Sequence, residues 1–139
     1  MLVVSPPDLG AYVGKHIGQI CTTGLTSPTH NHCAHFVSHV EGFQFGLLCG
    51  DMGSSASTSH QGATIRVIEL YNSLEYRGAW AEKPVPLIYC LIFVTSAGNF
   101  NGTRMGQHPH KHVGIWSHPY VYEYSNQAGA VPRPARLVS

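Results

Sequence analysis

Charge is scarce in this chain. Asp, Glu, Lys and Arg together make up 11% of it, and the net charge is +1 with the histidines neutral. No basic block and no interleaving of basic with aromatic residues is present, so the electrostatic footprint of a nucleic-acid binder is missing. No run of 18 or more apolar residues occurs, so no membrane span is expected. The opening MLVVSPPDLGAYVGK has neither a basic leader nor a sustained apolar stretch, and no secretory signal is expected there. Cys21, Cys33, Cys49 and Cys90 include no C-x-x-C pair. That spacing argues against zinc held by four thiolates, and it leaves open whether Cys21 and Cys49 pair in an oxidising compartment. Acid is rarest towards the C-terminus, where Glu123 is the only Asp or Glu after Glu82.

What is present is enough for one domain with a real core: 139 residues, 43% of them hydrophobic. With no linker or repeat, residues 1–139 read as a single domain, its core about 8–126 and an exposed irregular tail about 127–139. Asp8 to Ile20 reads as a short helix. CAHFVSHVEG reads as a helix with Phe36, Val37 and Val40 as its apolar stripe and Gly42 as its stop. ATIRVIELYNSL reads as an amphipathic helix. LIYCLIFVTS, Leu87 to Ser96, is a continuous apolar run that reads as a central buried strand. KHVGIWS and YVYEYSN read as two short strands joined around His118-Pro119. Helices first and strands later predict an α+β fold with an antiparallel sheet.

Ten histidines are present, and four of them surround one cysteine in THNHCAHFVSHV. If the helix begins near Ala34, Cys33 sits where unpaired backbone N–H groups and the positive end of the helix dipole favour a thiolate, the reactive form of cysteine. The same N–H groups suit a developing oxyanion. The plain alternative is a small buried hydrophobe. His35 and His39, four apart, share a helix face and have the spacing of a zinc pair. No Glu follows His35, and the two read as surface or packing histidines, with no metal expected.

A thiolate nucleophile needs a base. Of His108, His110, His112 and His118, only His112 opens a strand, and Gly114 beside it leaves room for a substrate. A third group should orient the imidazole. A His-Pro two-residue turn is disfavoured, because such turns require positive φ, which the residue before proline avoids. A four-residue loop, Ser117 to Tyr120, pairs Trp116 with Val121 and Gly114 with Glu123. Glu123 then lies diagonal to His112 on one face. A three-residue loop would reverse the parity and offer Asn126 instead.

NHCAHFVSHV, followed by KHVGIW and VYEYSN, resembles the NlpC/P60-like branch of papain-fold cysteine peptidases and amidases. The resemblance spans about residues 31–126, with detail in these three patches. It implies a papain-like core in which the helix bearing the nucleophile packs on a small antiparallel sheet. Cys33 matches the nucleophile, His112 the base and Glu123 the third position, where many relatives carry His. Asn31-His32 stands where many relatives have Asp directly before the cysteine. Such families hydrolyse amides of peptidoglycan stem peptides, often at D-glutamate–diaminopimelate, without a cofactor. The compact chain also looks like the small amidase effectors of bacterial type VI secretion. These are made without a signal peptide, act in the periplasm of a target bacterium and have cognate immunity proteins. Three alternatives stand beside this reading. One is a histidine-rich metal-binding module. Another is an acyltransferase of the lecithin:retinol type, in which the His precedes the Cys. The last is an inactive relative that binds glycopeptide.

Overall fold

The computed structural model describes residues 8–22, 25–27, 31–52, 61–75, 77–84, 87–101, 104–106, 111–125 and 128–134. Among these residues three short α-helices come first: α1 (Ile17–Ile20), α2 (Cys33–Glu41) and α3 (Val67–Ser73). Six strands follow: β1 (Tyr89–Thr95), β2 (Phe100–Asn101), β3 (Arg104–Met105), β4 (Lys111–Ser117), β5 (Tyr120–Ser125) and β6 (Gly129–Pro134). Strands β1, β4, β5 and β6 form an antiparallel sheet in the order β1-β4-β5-β6, and β2 pairs with β3 as a separate ribbon. The fold is α+β, as the order of helical and strand patterns predicts.

Helix α2 forms where expected, and its stop has a visible cause. Gly42 takes φ 82°, a left-handed conformation that costs glycine little. The N–H groups of Gly42 and Phe43 both return to the Ser38 carbonyl, at 2.8 and 3.0 Å. The helix packs on β4 and β5. Phe36 and Val37 lie with Val113, Ile115 and Tyr124 in the main core. Burying each such side chain contributes about 1.5–3 kcal/mol, so these contacts fix the helix on the sheet. Tyr124 also reaches α1, its hydroxyl oxygen accepting the Ile17 N–H at 2.8 Å.

Two helical segments are shorter than expected. Asp8 to Ile20 is a 3-10 turn (Leu9–Tyr12) and then the single turn of α1, broken where Gly14 takes φ 85°. ATIRVIELYNSL is helical only from Val67, because Thr64 is engaged elsewhere. Its hydroxyl donates to the Phe45 carbonyl at 2.8 Å and accepts the Phe45 N–H at 2.9 Å, while its backbone bridges Leu48. A Thr side chain that satisfies a distant backbone in this way holds its own segment extended.

Strand β1 pairs with β4 alone among the described strands and lies at the sheet edge, not its centre. Ile92 packs with Trp116 and Val121, Leu91 and Phe93 pack towards the main core, and Val94 is exposed. The apolar run is continuous because both faces of β1 are partly covered, not because the strand is central. The segment read as an irregular tail holds β6, paired with β5 from Ser125↔Gly129 to Tyr120↔Pro134. Pro132 and Pro134 disguise it, yet proline is tolerated on an edge strand, where its missing N–H breaks no ladder. The ordered sheet therefore extends to Pro134, beyond the expected core boundary near residue 126.

The β4–β5 hairpin has the expected register, Trp116↔Val121, but its turn is shorter: Ser117 pairs with Tyr120. The two turn residues are His118 and Pro119, joined by a cis peptide bond, and no non-glycine residue described has positive φ. The objection to a His-Pro turn therefore does not apply. Gly114 also differs from expectation. It leaves no open space, because a Cβ there would meet Val121 Cγ1 at 2.8 Å, the Tyr122 carbonyl oxygen at 3.2 Å and Glu123 Cβ at 3.5 Å. Its missing side chain lets β5 approach β4 and brings Glu123 in beside His112. Gly114→Ala is expected to destabilise the fold by about 1–3 kcal/mol through overpacking, read as a lower denaturant midpoint with an unchanged slope.

Candidate active site

Cys33 is the first residue of α2, and His32 is the N-cap, with no side-chain capping bond of its own. The first helical hydrogen bond runs from the Phe36 N–H to the His32 carbonyl at 2.9 Å. Before it, the N–H of Cys33 donates to Asn31 Oδ1 at 3.0 Å. The residue two places before the cysteine thus performs the capping that His32 does not. It also occupies one of the N–H groups expected to face an oxyanion.

His112, near the start of β4, lies against both predicted partners. Its Nε2 is 2.6 Å from Glu123 Oε1 on β5, the short spacing of a charge-assisted hydrogen bond. The Cys33 side chain lies beside the same ring, close enough to raise the His112 pKa. With Nε2 committed to Glu123, the nitrogen left for the sulfur is Nδ1. Cysteine, histidine and carboxylate from α2, β4 and β5 therefore form one connected group.

Electrostatics follow from that geometry. Burial by itself would push the His112 imidazolium down. The polar contacts of Cys33 and Glu123 with the ring, and the negative charge of both, outweigh it and raise His112 from 6.5 to about 9. His112 is therefore held protonated through neutral pH. The group is closed on one side: Cys33 is 1% exposed, whereas the His112 and Glu123 side chains are 31% and 14% exposed. The solvent-facing edge is the imidazole.

The remaining sequence candidates fall as follows. Asn126, the alternative third residue, lies outside the described residues, as do His108 and His110. His118 packs edge-on against Trp116, with ring centroids 5.8 Å apart. His35 is buried and His39 half-buried on α2, so neither is a surface residue. Burial above all, with the neighbouring His39 and His32 charges adding, lowers His35 from 6.5 to about 3. Burial lowers His39 as well. Both belong to a second cluster with Cys21 and Cys49, four groups that could hold a metal ion. The i, i+4 histidine pair was visible in the sequence. Its completion by cysteines from two flanking turn-rich segments was not.

Comparison with protein-family models, curated proteins and solved structures finds no match to this chain.

Proposed function

We propose that the chain is a cysteine hydrolase that cleaves an amide bond of peptidoglycan stem peptides through Cys33, His112 and Glu123. One observation carries the chemistry: a cysteine at a helix start lies beside a histidine whose Nε2 is held by a carboxylate 2.6 Å away. Nucleophile, base and orienting group are the three parts that covalent acyl transfer requires. The substrate class rests on the likeness of the three motif patches to NlpC/P60-like enzymes. The packing of α2 on the antiparallel sheet supports a papain-like core of that type.

In the proposed reaction, the Cys33 sulfur attacks the amide carbonyl carbon and forms a C–S bond. As the C–N bond breaks, His112 Nδ1 gives its proton to the departing amine. A water then loses a proton to the same nitrogen and attacks the thioester. The product leaves as a carboxylic acid, and the sulfur is released as thiolate beside protonated His112. Glu123 keeps the imidazole oriented throughout and balances its charge. The oxyanion faces the first turn of α2. There it displaces Asn31 Oδ1 from the Cys33 N–H or uses the next N–H, that of Ala34. The nucleophile precedes the histidine in the chain, an order opposite to that of the lecithin:retinol type of acyltransferase.

The test is digestion of purified peptidoglycan with mass analysis of the fragments. New amine and carboxyl termini within the stem peptide, at D-glutamate–diaminopimelate in the first instance, are the expected result. Intact stem peptides after exhaustive digestion would remove the substrate assignment. On the same reading, the chain is an effector acting in the periplasm of a target bacterium, and a tight-binding immunity protein would be its partner.

A further inference from the structure

We propose that Cys21, His35, His39 and Cys49 form a structural zinc site that clamps α2 to the chain on either side of it. Their four ligand atoms lie within 4.8 Å of one another. Cys21 directly follows α1, His35 and His39 are one turn apart on α2, and Cys49 opens a 3-10 turn, Cys49–Asp51.

The spacings can be compared with a tetrahedron. Zinc bonds of about 2.3 Å to sulfur and 2.0–2.1 Å to nitrogen require edges of roughly 3.8 Å between sulfurs, 3.3 Å between nitrogens and 3.6 Å between sulfur and nitrogen. The structure has Cys21 Sγ to Cys49 Sγ at 3.7 Å, His35 Nε2 to His39 Nε2 at 3.2 Å, and Cys49 Sγ to His39 Nε2 at 3.8 Å. Three edges from three different segments agree with one small tetrahedron.

The surroundings orient the ligands. The Ser27 carbonyl can only accept, so His32 Nε2, 2.8 Å away, carries a hydrogen. His32 Nδ1 then offers its lone pair to His35 Nδ1–H, at 3.0 Å. This leaves His35 Nε2 with a lone pair directed at the other three ligands. A hydrogen-bonded chain behind a ligating histidine is the usual outer shell of a zinc site. The Cys49 sulfur accepts the Ala63 N–H at 3.2 Å, which suits a thiolate. A Cys2His2 donor set is borderline-soft and fills all four positions, so the zinc it selects would be structural and not catalytic. Binding would displace the thiol protons of Cys21 and Cys49 to solvent. The clamp would hold the helix whose first residue is Cys33, without taking part in the chemistry there.

The test is the metal content of the reduced full chain after exposure to zinc ions, with cobalt substitution reporting the ligands. A single tightly held zinc is expected, together with a thiolate-to-cobalt absorption band. Chelation should lower the thermal midpoint. Cys49→Ser and His39→Ala should weaken zinc by more than the roughly 10- to 100-fold typical of an outer-shell change, while Cys90→Ser keeps it. Cys33→Ala should also keep its zinc, so loss of the hydrolase reading and loss of this one are distinguishable. If the ligand variants do not fold, alkylation of the wild type decides: Cys21 and Cys49 should be protected until a chelator is added. Failure of the reduced chain to bind stoichiometric zinc, or full zinc retention by both ligand variants, would overturn the proposal.

Discussion

Cys33→Ala is expected to lower stem-peptide cleavage by more than roughly 10³-fold, and His112→Ala to do the same. The two groups act as one unit. Without the sulfur no covalent intermediate forms, and without the imidazole the leaving amine receives no proton. The double variant should therefore be little worse than either single one. The fold should tolerate the cysteine change, since alanine removes a single buried sulfur and keeps the α2 backbone. Initial rates on a soluble stem peptide, with circular dichroism as the control for folding, would measure both effects. A folded Cys33→Ala variant that keeps full activity would refute the nucleophile assignment.

The pH dependence gives the second large effect. Raised from 6.5 to about 9 in the folded chain, His112 stays protonated at neutral pH. Protonated His112 is the form that donates to the amine, so kcat should hold through neutral pH and fall as pH rises through about 9. The link to stability has the same sign. A histidine raised on folding contributes stability that is fully present below pH 6.5 and is lost between there and about 9. Glu123→Gln removes one of the two negative partners that hold the proton. Its alkaline limb should move to lower pH, and its rate should fall by roughly 10²-fold, less than for either alanine variant. A Glu123→Gln profile that overlays the wild type would leave Glu123 as an ordinary strand carboxylate.

The placement of these residues was legible in the sequence for physical reasons. Phe36, Val37 and Val40 recur at helical spacing directly after Cys33, and Gly42 supplies the stop. This fixes the cysteine at a helix start. Strand alternation fixes parity, so pairing Trp116 with Val121 is enough to bring Glu123 to His112, whatever the details of the turn. Other features depend on partners far away in the chain. Pro132 and Pro134 look like breakers until β5 supplies the strand they flank. Gly114 reads as open space until Val121 and Tyr122 close over it. Asn31 gave no sign that it would occupy the Cys33 N–H. The grouping of Cys21 and Cys49 with His35 and His39 depends on how three segments fold back on α2, which no local spacing encodes.

The most direct measurement of the central claim needs no substrate. Treating the native chain with a limiting amount of a small thiol-alkylating reagent and mapping the modified peptides ranks the cysteines by reactivity. Cys90 is the reference. It is half-buried, and burial pushes its thiol up to about 11 even though the nearby Lys83 charge acts in the other direction. The Cys33–His112 pairing predicts that Cys33 is labelled first and that His112→Ala slows this labelling. Preferential labelling of Cys90, with Cys33 inert and indifferent to the loss of His112, would contradict it.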